Sequence, residues 1–241
     1  MTFWEYLILF LTAFAGGISS FFIPREQWKA VKVLIAFSGA FLLALAVVHL
    51  IPELFSAGTL QRPGLWILAG FTLQLLLEPL SKGVEHGHFH SVKSSAVWPV
   101  MIGLFVHAFL EGMPLSGYEE VEAATFHASH GDQLMWGILV HKAPAGFALG
   151  SLLRLSGMPV FRIWLFLGVF AIASPLGALV SAFSHFSVGQ LSFLLALVTG
   201  SFLHLSTSIL FESGEGGGSH QVSWLKFAAI VGGFLLAVLS N

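Results

Sequence analysis

Cysteine is absent from the 241 residues. Disulfides and thiolate metal sites are thereby excluded, although the redox compartment is left open. Charge is nearly as scarce. Asp, Glu, Lys and Arg make up 9% of the chain, about a third of the roughly 25% usual in globular domains. So few charges cannot coat a soluble domain. The net charge of −2 points to no nucleic acid and no acidic partner. The first apolar segment lacks a basic leader and a small-residue cleavage site, so it reads as a retained span.

What fills the chain is apolar: 56% of residues are hydrophobic and the mean hydropathy is +0.87. This composition predicts an all-α integral membrane protein. Hydrophobic runs divided by polar or Gly/Pro punctuation give eight transmembrane helices in a single domain over 1–241, at about 3–22, 33–55, 64–80, 96–116, 132–154, 159–183, 188–211 and 222–240. Each approaches the ~20 residues needed to cross ~30 Å of hydrocarbon.

Basic residues set the orientation. With the N-terminus extracytoplasmic, Arg25, Lys29, Lys32, Lys82, Lys93, Arg154, Arg162 and Lys226 all fall at cytoplasmic ends. Only Arg62 falls outside, and Lys142 lies within a span. This is the positive-inside pattern, and an even helix count then puts both termini outside. The loop 81–95 becomes cytoplasmic and carries His86, His88 and His90, a candidate for cytosolic metal capture or a plain solvated loop. The outer loop 117–131 is acidic, with Glu119, Glu120 and Glu122, then His127 and His130. It can concentrate cations or simply be solvated. The loop 212–221 is rich in glycine.

Several ionisable residues lie inside the spans. The fourth carries "HAFLEG", with His107 and Glu111 one turn apart; the fifth carries "HKAPAG", with His141 and Lys142. Charges at bilayer centre cost ~2.5–3.5 kcal/mol each on insertion scales, so these need partners, water or a function. The i, i+4 spacing puts His107 and Glu111 on one face. Antiparallel packing of the two spans can bring His141 to the same depth. Two imidazoles and a carboxylate match the ligand types of zinc, and three ligands leave coordination positions open for an ion that must leave again. Pro144, just after His141, leaves a backbone carbonyl without its donor, as helices at transport sites do. The bland alternative is a buried Glu111–Lys142 ion pair with packed histidines. His49 and Glu53, in "HLIPELF", are again i, i+4 and serve as an entrance for the ion or an interfacial cap. His204 and Glu212, toward the inner end of the seventh span, are exit candidates.

Taken together, "HAFLEG" and "HKAPAG", "HLIPELF", "ASPLGALVSA" (173–182) and "TGSFLHLSTSILFE" (199–212) resemble signatures of the ZIP (Zrt/Irt-like) family of divalent metal transporters. The resemblance covers most of the chain. It implies a 3+2+3 inverted-repeat architecture, zinc or similar divalent-ion uptake into the cytosol, an elevator-like movement of helices one, four, five and six, and a homodimer. Two-metal members of that family resemble "HNxxEG" in the fourth helix and place acids in the fifth. Here Ala108, Lys142 and Ala145 stand at those places, and Ser174 stands where some members have Glu. One ion rather than two is therefore expected, with Lys142 in place of the second as charge compensation for Glu111.

Nitrogen ligands argue against magnesium and calcium, and the lack of thiolates disfavours copper(I). Zinc fits best, with iron(II), manganese(II), cobalt(II) and cadmium(II) as further substrates of the same chemistry. No resident cofactor is expected. A bacterial inner membrane suits so compact a chain. Two other functions use the same residues. An intramembrane zinc hydrolase needs a general base besides its ligands, and "HAFLEG" is not the HExxH order. A haem carrier ligated by His107 and His141 leaves Glu111 and Lys142 unexplained.

Overall fold

The computed structural model describes residues 1–84, 96–118, 121, 133–212 and 223–239. Among these residues the chain forms eight helical rods: α1 (Phe3–Ser19), α2 (Arg25–Ser56), α3 (Pro63–Ser81), α4 (Val97–Gly117), α5 (Gln133–Leu155), α6 (Val160–Ser184), α7 (Val188–Glu212) and α8 (Trp224–Leu239). The count fits the sequence reading. By length and composition, α2, α3, α4, α6 and α7 are each able to cross a membrane. The apolar α1 and α8 are shorter, at 17 and 16 residues. At 23 residues α5 is long enough, but it carries Gln133, His141, Lys142 and Arg154.

Local chemistry shapes the rods. In α2, the residues Leu45–Leu50 widen into a π-helix. Pro52 follows and has no N–H to give to the Val48 carbonyl, so the preceding turn must accommodate the lost bond. The last turn of α4, Met113–Gly117, tightens to 3-10 geometry behind Pro114. Lys82 closes α3 in the left-handed conformation, φ 52°, and Gly83 follows at φ 66°. Every rod except α7 carries a tryptophan within its first five residues (Trp4, Trp28, Trp66, Trp98, Trp136, Trp164 and Trp224). All but Trp28 are exposed, as expected of indoles anchoring helix ends at the membrane interface.

Packing divides the rods into two groups. In the first, α1 packs on α5 and α6, and α6 packs on α4 and α5. In the second, α3 and α2 both pack on α7, and α8 packs on α2. Glycines let backbones touch within each group. A Cβ on Gly16 would stand 2.2 Å from the Ala143 carbonyl oxygen, and one on Gly146 would stand 2.2 Å from that of Ala13. Gly112 and Gly177 join α4 to α6 in the same way, against Ser174 and Phe109. Gly70 and Gly200 join α3 to α7, against Leu197 and Ile67. Such small-residue contacts are how helices associate where lipid competes equally for apolar surface. Between the groups the backbones come less close. Gly137 of α5 faces the tip of Leu45 on α2, and a Cβ on Gly103 of α4 would stand 3.1 Å from the Leu80 Cβ and 3.2 Å from the Ser81 backbone nitrogen of α3.

Candidate metal site

The rods bring four predicted residues together in the protein interior. His107, Glu111, His141 and Lys142 are each at most 3% exposed. The route to this convergence differs from expectation. The sequence reading takes α4 and α5 as packed neighbours, but they share no extended backbone contact. Each is instead fixed by other helices, α4 by α6 and α3, α5 by α1 and α2. Their long side chains bridge the space between them.

Glu111 is the hub. Its Oε1 accepts from Lys142 Nζ at 2.5 Å and from Ser174 Oγ at 3.0 Å. Its Oε2 lies 3.2 Å from His107 Nε2. The Ser174 hydroxyl is also 2.7 Å from the Ala108 carbonyl oxygen, so it ties α6 to α4 at the level of the carboxylate. Lys142 Nζ sits 4.7 Å from the centre of the Phe170 ring, which gives the buried ammonium a second electron-rich neighbour. The His107 and His141 rings stand edge to face, 6.4 Å between centres. Among the described residues, no three His, Asp or Glu side chains already form a closed ligand cage. The bland element of the sequence reading, the Glu111–Lys142 pair, is therefore present within the candidate site.

Two residues that sequence reasoning missed orient His107. Gln74 Oε1 of α3 lies 2.9 Å from His107 Nδ1, and Ser201 Oγ of α7 lies 3.0 Å from the same oxygen and 3.2 Å from Nδ1. A glutamine oxygen is an acceptor, so Nδ1 carries the hydrogen. In the neutral ring, Nε2 then presents its lone pair toward Glu111, the tautomer a metal ligand needs. A small cavity of about 20 Å³ lies against this group, lined by Gln74, Leu77, His107, Leu110, Glu111 and Ser201 among others. That is room for one water-sized particle. The space opens toward α3 and α7, not between α4 and α5. The signal for Gln74 was readable: an amide in an apolar span, four residues before Glu78.

The other predicted residues separate. His49 Nε2 meets the Ala237 carbonyl oxygen of α8 at 2.8 Å, whereas Glu53 accepts from Tyr118 Oη at 2.8 Å. These two entrance candidates thus hold different neighbours. His204 Nε2 pairs with Glu78 Oε2 of α3 at 3.3 Å, a partner the sequence reading did not name. Glu212 ends α7. His86, His88 and His90 lie outside the described residues, as do Glu119, Glu120, Glu122, His127 and His130.

A family profile described as ZIP Zinc transporter matches residues 85–241. The chain is 30% identical to Zinc transporter ZIP9 of Micropogonias undulatus over 178 residues, covering 66% of this chain and 54% of that protein. It is 29% identical to Zinc transporter ZIP9-B of Xenopus laevis over 202 residues, 73% of this chain and 63% of that protein. The chain thus spans less than two thirds of these relatives' length. An uncharacterized protein of Methanocaldococcus jannaschii is 26% identical over 215 residues, with 84% of each chain covered.

Proposed function

The chain belongs to the ZIP zinc transporter family, a family of transporters and not of enzymes, and from that premise we propose that it carries zinc, or a similar divalent ion, into the cytosol. The ion binds near the membrane midplane at His107, Glu111 and His141. The observation that carries this reading is the burial of one carboxylate and two imidazoles around a lysine, in an apolar protein, beside a cavity. Buried charges of this kind are expensive in a membrane and mark ion pathways.

Lys142 sets the stoichiometry at one. Its ammonium takes Oε1 of Glu111, the place a second cation would need. An arriving divalent ion replaces the ammonium as the carboxylate's counter-charge, and Lys142 retains the Phe170 ring as its neighbour. Ligating imidazoles must be neutral, so uptake should fall as the pH drops through the histidine range. Iron(II), manganese(II), cobalt(II) and cadmium(II) are further substrates on ligand chemistry.

The packing pattern favours an elevator. α1, α4, α5 and α6 form one group, α2, α3, α7 and α8 the other, and the closest backbone contacts run within groups. The pattern also has the form of an inverted repeat. Exchanging helices one to three with six to eight, and four with five, turns the α1–α5 contact into α6–α4 and the α3–α7 contact into α8–α2. Both termini lie outside on the distribution of basic residues, and the transporter works as a homodimer in the cell (inner) membrane.

The test is zinc uptake into proteoliposomes by wild type and by His107→Ala, Glu111→Ala and His141→Ala. All three variants should fold and lose most transport. Wild-type rates in all three would end the site assignment.

A further inference from the structure

Lys142 of α5 and Phe170 of α6 are buried together, 2% and 1% exposed. A buried ammonium must find substitutes for the water it has lost. Among the described residues Lys142 Nζ has two. One is Glu111 Oε1 at 2.5 Å, and the other is the Phe170 ring, whose centre lies 4.7 Å away. Phe170 and Ser174 are i, i+4 on α6, so one face of that helix turns a ring toward the ammonium and a hydroxyl toward the carboxylate. Gly112 and Gly177 hold α6 against α4 backbone to backbone. The place of the ring relative to Glu111 is therefore set by main-chain packing.

The balance between these two neighbours changes when the site loads. A divalent ion on Glu111 takes up the carboxylate's charge, and its own charge repels the ammonium. The cavity beside Glu111 offers Lys142 no retreat. It is lined by Gln74, His107, Glu111 and Ser201 among others, and by neither Lys142 nor Phe170. The neighbour that remains to the displaced ammonium is the negative face of the ring. Cation–π attraction is strongest in such a desolvated place.

We propose that Phe170 is a positioning residue for metal binding: its ring holds the Lys142 ammonium whenever a divalent ion occupies Glu111, and so sets how tightly the ion is held. The proposal rests on the metal site assigned above. It also bears on which ions can enter. The tethered ammonium already supplies one positive charge to the carboxylate, so a monovalent ion brings no more charge by displacing it. A divalent ion brings a second charge and takes imidazole ligands as well. The ring lowers the cost of that exchange by steadying the cation that gives way.

The experiment measures zinc affinity by calorimetry on the full chain in detergent, and thermal unfolding of the same proteins without metal. Phe170→Leu keeps apolar bulk and removes the ring. It should weaken zinc binding roughly tenfold, the scale that separates a desolvated cation–π contact from an exposed one. Phe170→Tyr, which keeps a ring, should restore the affinity. With Lys142→Met in place there is no ammonium to hold, so Phe170→Leu should then leave zinc affinity unchanged. A general packing defect would weaken both backgrounds alike. The metal-free arm uses Glu111→Gln, which removes the carboxylate's charge and leaves the ammonium to the ring. Phe170→Leu should lower the melting temperature more in that protein than in wild type. Equal zinc affinity in wild type and Phe170→Leu, an equal loss with and without Lys142, or equal melting losses in the two metal-free backgrounds overturns the proposal. If Phe170→Leu does not fold, Phe170→Met decides it by the same comparisons. An unchanged zinc titration of His107→Ala/Glu111→Gln/His141→Ala would instead overturn the midplane site, while the metal-free arm still judges the ring.

Discussion

The contact of α5 with α1 and its contact with α2 differ in kind. Toward α1 the helix presents Gly146 and Gly150, whose added Cβ atoms would collide with backbone carbonyl oxygens at 2.2 and 2.4 Å. Toward α2 it presents Gly137, whose added Cβ would meet the side-chain tips of Leu45 and Leu42. The same contrast holds for polar bonds. Inside the α1/α4/α5/α6 group lies the Lys142–Glu111 ion pair. Across to the other group run the Gln74–His107 and Tyr118–Glu53 bonds, which can be remade one at a time. Main-chain contacts cannot slide without the helices parting, whereas side chains can change rotamer. The contrast marks where the molecule holds and where it can give.

The largest effect should come from cutting the charge pair inside its group. Lys142→Met leaves the Glu111 carboxylate buried without its cation, which should cost about 3–5 kcal/mol of stability. Saturating zinc should restore much of that loss, because the ion supplies the missing charge. Thermal unfolding in detergent with and without zinc checks it, and a variant as stable as wild type without metal would show the pair to be energetically idle. Its uptake should change in rate or selectivity without vanishing.

Next in size is a comparison of two glycines. Gly200→Ala drives a Cβ to 1.9 Å from the Ile67 carbonyl oxygen, and should cost about 3 kcal/mol, the upper range for overpacking. Gly137→Ala asks only that Leu45 turn aside, and should cost about 1 kcal/mol. Equal melting temperatures for the two would erase the distinction between the interfaces. A modest change in stability should follow Gln74→Leu, which removes the neutral hydrogen bonds to His107 and Ser201, each worth about 1 kcal/mol. Its signature is functional: with the His107 ring no longer held in its tautomer, zinc affinity should drop about 10–100-fold. Unaltered affinity by calorimetry would remove Gln74 from the site.

Much of this was legible in the chain itself. The eight rods follow from apolar runs because lipid demands that each crossing satisfy its own backbone. His107 and Glu111 could be paired from their spacing, and Lys142 marked as needing a counter-charge, because both arguments are local or solvation-based. Partner identity across helices was not legible. Glu78 was visible at the end of the third span but nothing in the hydropathy of α3 says that its face meets His204 of α7. That choice is made by Gly70 and Gly200, which fix how closely and at what rotation the two helices lie. Likewise His49 and Glu53 share the i, i+4 spacing of His107 and Glu111, yet α8 and Tyr118 draw them to separate partners. The π-helical turn at Leu45–Leu50 lies in the same stretch, where periodicity arguments assume an even 3.6-residue turn.

The buried lysine has a further consequence, in electrical terms. On the elevator reading proposed above, with Glu111 anionic and Lys142 cationic, the moving helices would carry no net charge at the site when empty and two positive charges when loaded. The outward return of the empty carrier should then be indifferent to voltage. The loaded stroke should feel it, since each elementary charge gains about 2.3 kcal/mol per 100 mV across the full field. Vesicles clamped at an inside-negative potential should therefore take up zinc faster than unpolarised ones, and equal rates would mean that another ion crosses with the zinc to balance its charge.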